Sequence, residues 1–357
     1  MNKRVLLGMS GGVDSSSAAV LLKEAGYEVI GCTMRLWEPC DENEGESTCC
    51  GSQAVFDAKR VCDKLGIPHY TLNYKKEFKC KVIDNFINEY KNARTPNPCI
   101  ECNKYLKFGC FYQKAKELEC DYISTGHYAK IEYSEKYKQY VLKKSNEEKK
   151  DQTYFLYTMP KEIIKHIIFP LQDYTSKENT RKIAKSNGLA VAQKKESQEI
   201  CFIPNNDYSE FLRKNITENI KEGNIVLKSG QILGKHKGLI NYTIGQRKGL
   251  GISYKEPIYV IKLDSKKNEL VVGPEEELYK KELIAKDMNW LIKDIKEPIE
   301  CFAKVRYRAK EAKATVYLQE EGKIKVVFEM PQRAITPGQS VVFYDEEKIV
   351  LGGGKII

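Results

Sequence analysis

No run of apolar residues in the 357-residue chain approaches the roughly 18 that a membrane-crossing helix needs. The opening MNKRVLLGMSGG meets glycines before it could build a secretory signal core. A soluble, cytoplasmic protein with no membrane partner is therefore expected. The glycine loop near the start lacks the lysine of G-x-x-x-x-G-K-S/T and the spacing of G-x-G-x-x-G, which excludes two common nucleotide-binding motifs. No repeat of fixed period is evident. A second metal-type cysteine pair is also missing. Cys99 and Cys102 form one C-x-x-C unit, but the tandem Cys49 and Cys50 do not make another, which argues against a four-ligand zinc site. Cysteine almost disappears after residue 201, since only Cys301 of the twelve lies beyond it. Any sulfur chemistry belongs to the first 202 residues, and in a chain this long, without a signal, reduced thiols are the default.

What is present points to several modules. The length is two to three times that of a usual domain, and lysine plus arginine exceed aspartate plus glutamate by 59 − 49 = 10, a balance that suits an anionic partner. RVLLGM (4–9) reads as a buried strand, and the segment after SGGVDSS reads as a helix stopping at Gly26. YEVIGCTM reads as a strand, SQAVFDAKRVCDKLG as a helix, and IPHYTLN and CDYISTGHYA as further strands. This alternation predicts an α/β fold with a parallel sheet covered on both faces. Ligands collect at the carboxyl ends of such strands, which would gather the 8–15 loop, Met34 and the Gly126 loop. From about residue 205, glycine and β-branched residues with frequent turns predict a small central β-containing domain. From about 280, alternating apolar and polar residues predict a C-terminal β-barrel. The expected domains are 1–204, 205–279 and 280–357. The charged KKSNEEKKDQ (143–152) reads as a solvated hairpin tip.

GMSGGVDSS is the most informative run. Two adjacent glycines between strand and helix let backbone N–H groups turn inward, serines add donors, and the helix N-terminus stands behind, so the loop is an anion cradle. S-G-G-V-D-S resembles the pyrophosphate loop of the ATP pyrophosphatases, which adenylate a substrate oxygen, release pyrophosphate and let a nucleophile displace AMP. Cys32, Cys62, Cys110 and Cys120 sit among apolar residues and read as small hydrophobes. Cys102 falls near a helix start, where a thiol's pKa is lowered. Cys201, in SQEICFIP, is ambiguous alone.

Read together, GMSGGVDSSSAAVLL, CCG, TPNP with the following CN and LKF, STGHYA, DQTYFLY, SQEICFI, YTIGQRKGLGI, VRYR and PGQSVVFY occur in the order of the tRNA-specific 2-thiouridylases, which the chain resembles along essentially its whole length. The resemblance implies a nucleotide-binding domain of adenine nucleotide alpha hydrolase type, ATP with Mg2+, and 2-thiolation of the wobble uridine (position 34) of tRNA. It implies a sulfur-donor protein, a cysteine desulfurase or sulfur relay protein. Cys201 would carry sulfur as a persulfide and Cys102 would resolve it, by releasing sulfide or by closing a disulfide bond. Gly8, Met9, Ser10, Gly11, Gly12, Val13, Asp14, Ser15, Met34 and Gly126 would contact ATP. Asn97, Pro98 and Cys99 would lie beside the target base, with His127, Asp151, Gln152, Thr153, Arg306, Tyr307 and Gln339 meeting tRNA. Cys99 departs from the aspartate that many relatives carry. Cys99, Cys102 and Cys201 could instead hold a 4Fe-4S cluster that delivers sulfide, an incompatible role because a ligated thiolate cannot also carry a persulfide. Two other classes stand beside these: a pyrophosphate-loop ligase with a nitrogen nucleophile, for which no glutaminase or amino-acid module is visible, and a non-catalytic tRNA-binding protein.

Overall fold

The computed structural model describes residues 2–37, 52–146, 150–174, 176–194, 200–203, 207–217, 220–293 and 298–357. Cys49, Cys50, the SQE of SQEICFI and the junction at 204–205 lie outside them.

The first strand explains the first layer. In β1 (Arg4–Gly8), Val5, Leu6 and Leu7 are fully buried. Successive side chains on a strand face opposite ways. Leu6 joins a core with Phe108, Phe111 and Tyr154, while Val5 and Leu7 join one with Ala18, Ala19 and Val61. A strand apolar on both faces needs helices on both faces, and each such side chain contributes about 1.5–3 kcal/mol by leaving water. The sheet is five-stranded and parallel, in the order β3 (His69–Asn73), β2 (Glu28–Arg35), β1, β4 (Tyr122–Thr125), β7 (Ile167–Ile168). Helices α1 (Val13–Glu24) and α2 (Ser52–Leu65) pack on one side. The chain leaves β1 in one direction and β4 in the other, so the topological switch lies at β1/β4, where Gly8 pairs with Thr125.

The hairpin of β5 (Lys130–Ser134) and β6 (Gln139–Lys143) turns at 135–138. The 143–152 stretch is therefore not its solvated tip. Lys144, Ser145 and Asp151 are buried, because this stretch packs against the C-terminal barrel: Lys144 pairs with Glu311 and its ammonium lies 4.3 Å from the Tyr344 ring centre. Lys144, which read as solvent-facing, forms an inter-module contact.

A four-stranded sheet follows, in the order β10 (Tyr259–Asp264), β11 (Glu269–Gly273), β8 (Gly223–Leu227), β9 (Ile232–His236). The last module is a closed six-stranded barrel, β12 (Tyr279–Trp290), β15 (Ile324–Arg333), β14 (Ala312–Leu318), β13 (Ile299–Lys304), β16 (Ser340–Tyr344), β17 (Val350–Ile356), sealed where β17 pairs back with β12. No helix among the described residues is long and apolar enough to cross a membrane.

Candidate active site

The glycine loop leaves β1 and enters α1 with Gly12 as the N-cap. No side chain caps that end, so the amides of the first turn face the loop opening. Serines stiffen the turn from inside: Ser15 Oγ accepts from the Ser10 amide at 3.2 Å and donates to the Gly12 carbonyl at 3.2 Å, while Ser16 Oγ donates to the same carbonyl at 2.8 Å. Asp14 accepts from the Tyr128 hydroxyl at 2.8 Å and from Thr180 Oγ1 at 3.4 Å. The Gly126 backbone presses on this turn so closely that a Cβ there would sit 2.8 Å from the Ser15 nitrogen and 2.9 Å from the Asp14 carbonyl carbon. Glycine is the residue that permits that approach.

Opposite the loop, TPNPCIEC folds for a local reason. Asn97 is the N-cap of the Pro98–Cys102 helix, its Oδ1 accepting from the Cys99 amide at 3.2 Å, and Pro98 occupies the first helical position, where its missing N–H costs nothing. The run continues as a π-helix, Asn103–Cys110, and then as an α-helix, Phe111–Glu117. π-helical turns are rare and concentrate at functional sites. Cys99 is exposed, whereas Cys102 is buried in a cluster with Phe78, Phe86 and Phe202, and the half-buried Cys201 packs against that same cluster.

The two halves face each other across one cavity of about 300 Å3. Its walls include Gly8, Met9, Ser10, Asp14, Ser15, Met34 and Gly126 from the nucleotide side, and Pro98, Cys99, Cys102 and Cys201 from the other. Gly11, Gly12 and Val13 complete the turn behind this wall. His127 and Gln152 also line the cavity. Burial, with the charge of Lys107 adding to it, holds the His127 pKa well below the usual imidazole range, so the ring is neutral. Its Nδ1 lies 2.7 Å from Thr125 Oγ1 and its Nε2 3.4 Å from Lys107 Nζ, which leaves Nε2 as the acceptor. Gln152 Oε1 accepts from the Tyr128 amide at 2.9 Å, tying its loop to the Gly126 turn. Five other thiols behave as core groups: burial pushes Cys32, Cys62 and Cys301 up to about 12 and Cys120 up to about 11, and raises Cys110. A larger cleft of about 890 Å3 lies between the β5–β6 hairpin and the barrel, lined by charges of both signs and by no residue of the loop.

Family models match the chain in three consecutive pieces: a tRNA methyl transferase HUP domain over residues 3–205, a tRNA methyl transferase PRC-barrel domain over 209–274 and an aminomethyltransferase beta-barrel domain over 280–356. The tRNA-specific 2-thiouridylase MnmA of Clostridioides difficile (strain 630) is 54% identical over 357 residues, covering 100% of this chain and 98% of its own. That of Acetivibrio thermocellus is 53% identical, covering 99% of each chain. The chain belongs to the tRNA-specific 2-thiouridylase family. Among solved structures, the U34-tRNA thiolase NcsA from Methanococcus maripaludis with its 4Fe-4S cluster is 19% identical over 53% of this chain and 58% of its own, at a TM-score of 0.34, a likeness too distant to transfer a residue role.

In this 2-thiouridylase-family chain the other expected tRNA-facing residues sit at joints between modules. Asp151 and Thr153 are buried: Thr153 Oγ1 donates to Asp151 at 2.7 Å and lies 3.2 Å from the Tyr344 hydroxyl of the barrel. Arg306 donates to the Ile244 carbonyl at 2.9 Å and to Thr336, bridging the central module and the barrel. Tyr307 packs on Phe155 with ring centres 4.4 Å apart. Gln339 Nε2 donates to the Thr95 carbonyl at 2.8 Å and the Pro96 carbonyl at 3.3 Å, so it holds the segment feeding the Pro98–Cys102 helix. Of the 151–153 run, Gln152 is the member that lines the cavity.

Among the described residues, no three histidine, cysteine, aspartate or glutamate side chains are disposed to hold a metal ion, and this includes Cys99, Cys102 and Cys201. The uncapped α1 start and the cradle against Gly126 do fit the phosphates of ATP.

Sequence reasoning missed Lys107 and Lys194. Lys107 stands inside the LKF motif without a role assigned to it. Lys194 Nζ donates to the Gly11 carbonyl at 3.2 Å and pairs with Asp57 at 2.6 Å, a long-range contact with no local signal.

Proposed function

We propose that this protein is an ATP-dependent tRNA sulfurtransferase that replaces oxygen 2 of the wobble uridine, position 34, with sulfur. The observation that carries the reading is the single cavity that opens both to the phosphate-cradling loop and to Cys102 and Cys201. Cleaving a carbon–oxygen bond at carbon 2 needs a good leaving group, which ATP supplies as AMP. Replacing oxygen by sulfur needs a sulfur nucleophile on the other side of the same atom. The target base must leave its stack to enter, and a cavity of this size admits a flipped base beside the loop.

The residues divide the work. Gly8 to Ser15 and Gly126 hold the triphosphate, with Mg2+ as its counter-ion, and Met34 lies against the nucleotide. The uridine oxygen attacks the α-phosphorus and pyrophosphate leaves. Cys201 presents the persulfide obtained from a donor protein, a cysteine desulfurase or a sulfur relay protein. The terminal sulfur attacks carbon 2 and AMP departs. Cys102 then attacks the Cys201 sulfur, closing a Cys102–Cys201 disulfide that an external thiol reduces; the alternative order has Cys102 release sulfide first. Pro98 and Cys99 flank the base, Asn97 fixes their helix, and His127 and Gln152 meet the nucleotide flanking it. The basic surplus suits the tRNA backbone.

The test is to incubate the protein with unmodified tRNA transcript, ATP and a persulfide donor, and to digest the tRNA to nucleosides. ATP-dependent 2-thiouridine is expected. ATP consumption that depends on ammonia or an amino acid, with no sulfur incorporated, would favour the ligase, and tRNA binding without ATP turnover would favour the binding protein. For the cluster reading, iron and acid-labile sulfide are measured on protein purified without oxygen. About four irons per chain, lost together with activity in Cys99→Ala, would replace the persulfide route.

A further inference from the structure

The cavity carries a charge that the scheme above has not used. Lys107 is the only lysine or arginine among the described residues lining it, and Asp14 is the only carboxylate. Asp14 already accepts from Tyr128 and Thr180. Among the described residues Lys107 makes no ion pair, and its one polar neighbour is His127 Nε2 at 3.4 Å, in a ring that burial keeps neutral. A half-buried ammonium that faces a cavity whose one carboxylate is held by Tyr128 and Thr180 calls for an anion from outside.

The helix form explains how Lys107 comes to face the thiols. In an α-helix a residue five positions on lies about 140° around the axis. From Asn103 to Cys110 the helix is π-helical, with hydrogen bonds reaching five residues back and more residues in each turn, so the fifth residue falls closer to the starting face than it does in an α-helix. Cys102 and Lys107, five apart, both line the cavity as a result. An α-helical run would swing the lysine away from the thiol face.

We propose that Lys107 is a catalytic residue that binds the adenylyl phosphoryl group through both steps, its ligand class being a phosphate mono- or diester anion. This rests on the sulfurtransferase reading. In the first step the bond between uridine oxygen 2 and the α-phosphorus forms as the bond to pyrophosphate breaks, the electron pair leaving on pyrophosphate and the N3 proton being released. In the second, sulfur bonds to carbon 2, the carbon 2–oxygen 2 bond breaks, and its electron pair leaves on oxygen 2, which departs as a phosphate oxygen of AMP while N3 regains a proton. In the first step this phosphoryl group keeps its single charge while pyrophosphate takes up the developing one; in the second, negative charge grows on the phosphoryl group itself as it becomes AMP, opposite the uncapped amides of α1. Lys107 supplies the cation on the side that the glycine loop does not cover.

The test compares wild type, Lys107→Gln and Lys107→Arg as full-length proteins with tRNA, ATP and a persulfide donor, following AMP formation in a single turnover, ATP and tRNA affinity, and the pH profile of cysteine alkylation. Removing one preorganised donor to a developing anion costs about 100- to 1000-fold. Lys107→Gln is expected to slow AMP formation by about that factor, with both affinities within about threefold and the alkylation profile unmoved. Lys107→Arg, which keeps the charge and the fold, should recover at least about tenfold of the loss. Three results would overturn the proposal: Lys107→Gln as fast as wild type, a loss confined to tRNA affinity, or an alkylation profile shifted while AMP formation is intact. Should Lys107→Gln not fold, Lys107→Met forming AMP as fast as wild type would equally overturn it. A wild type that forms no AMP with tRNA would sink the sulfurtransferase reading instead, so the two failures are distinct.

Discussion

At the scale of single residues, the site is built from close approaches that tolerate little change. A methyl group at Gly126 would meet backbone atoms of Ser15 and Asp14 below 3.0 Å, and neither can rotate away. Overpacking of this kind costs about 1–3 kcal/mol, which falls on the conformation that binds phosphate. Gly126→Ala is therefore expected to weaken ATP binding about tenfold or more while changing tRNA binding little, measured by titration of each ligand. Unchanged ATP affinity would mean that this turn does not shape the cradle. The histidines give a prediction in pH. His69, His127 and His236 all have pKa values held below 6.5 by burial. A lowered folded-state pKa means that the unfolded chain binds more protons in acid, so stability is lost as pH falls below about 6.5 and recovers as it rises. Thermal melts between pH 5 and 7.5 should show this slope, and His127→Gln should flatten it. A slope unaffected by that substitution would contradict the neutral buried imidazole.

At the scale of elements, the Pro98–Glu117 helical run does the positioning. Asn97 supplies the side-chain oxygen that starts it, and Asn97→Ala should cost about 1 kcal/mol and loosen the first turn, which carries Cys99 and leads to Cys102. Expected is faster alkylation of Cys102 with a small fall in melting temperature; unchanged Cys102 reactivity would show that the barrel contacts alone hold the helix. Much of this scale was legible in sequence. RVLLG declares a strand buried on both faces, SGGVDSS declares a loop that turns into a helix, and Asn-Pro before an apolar turn is a helix start. The π-helical form of Asn103–Cys110 was not legible, because no residue pattern in NKYLKFGC separates a helix of one pitch from the other. Lys107 was therefore quoted within a motif and given no task.

At the scale of the whole molecule, the barrel reaches back into the catalytic domain. Gln339 Nε2 donates to Thr95 and Pro96, the Thr95 amide donates to the Pro337 carbonyl at 2.9 Å, and Lys355 pairs with Glu89 at 3.0 Å. Gly338, at φ +90°, lies so near that a Cβ would sit 2.9 Å from the Thr95 nitrogen. Thr243 of the central module meets Thr95 as well, 3.4 Å between hydroxyl oxygens. All three modules thus close on the segment that feeds Cys99 and Cys102. Gln339→Glu keeps the shape but sets a carboxylate against two carbonyls, at a cost of about 1–3 kcal/mol. The expectation is a fall in kcat for thiolation of about tenfold with KM for tRNA little changed, and recovery in Gln339→Lys, which restores a donor. A rise in KM alone would make Gln339 a tRNA contact. Sequence could not reveal this joint, since partners more than 200 residues apart share no local pattern. For the same reason the buried Asp151 reads as a surface residue in a charged stretch.

The central claim is that Cys201 carries the sulfur that ends in the uridine. The direct measurement loads the protein with radioactive sulfur from a persulfide donor, maps the label to a peptide, and then adds tRNA and ATP. The account predicts label on the Cys201 peptide that moves into 2-thiouridine only when ATP is present, and no transfer in Cys201→Ser although pyrophosphate is still released. Label that never resides on Cys201, with Cys201→Ser still thiolating tRNA, would contradict it.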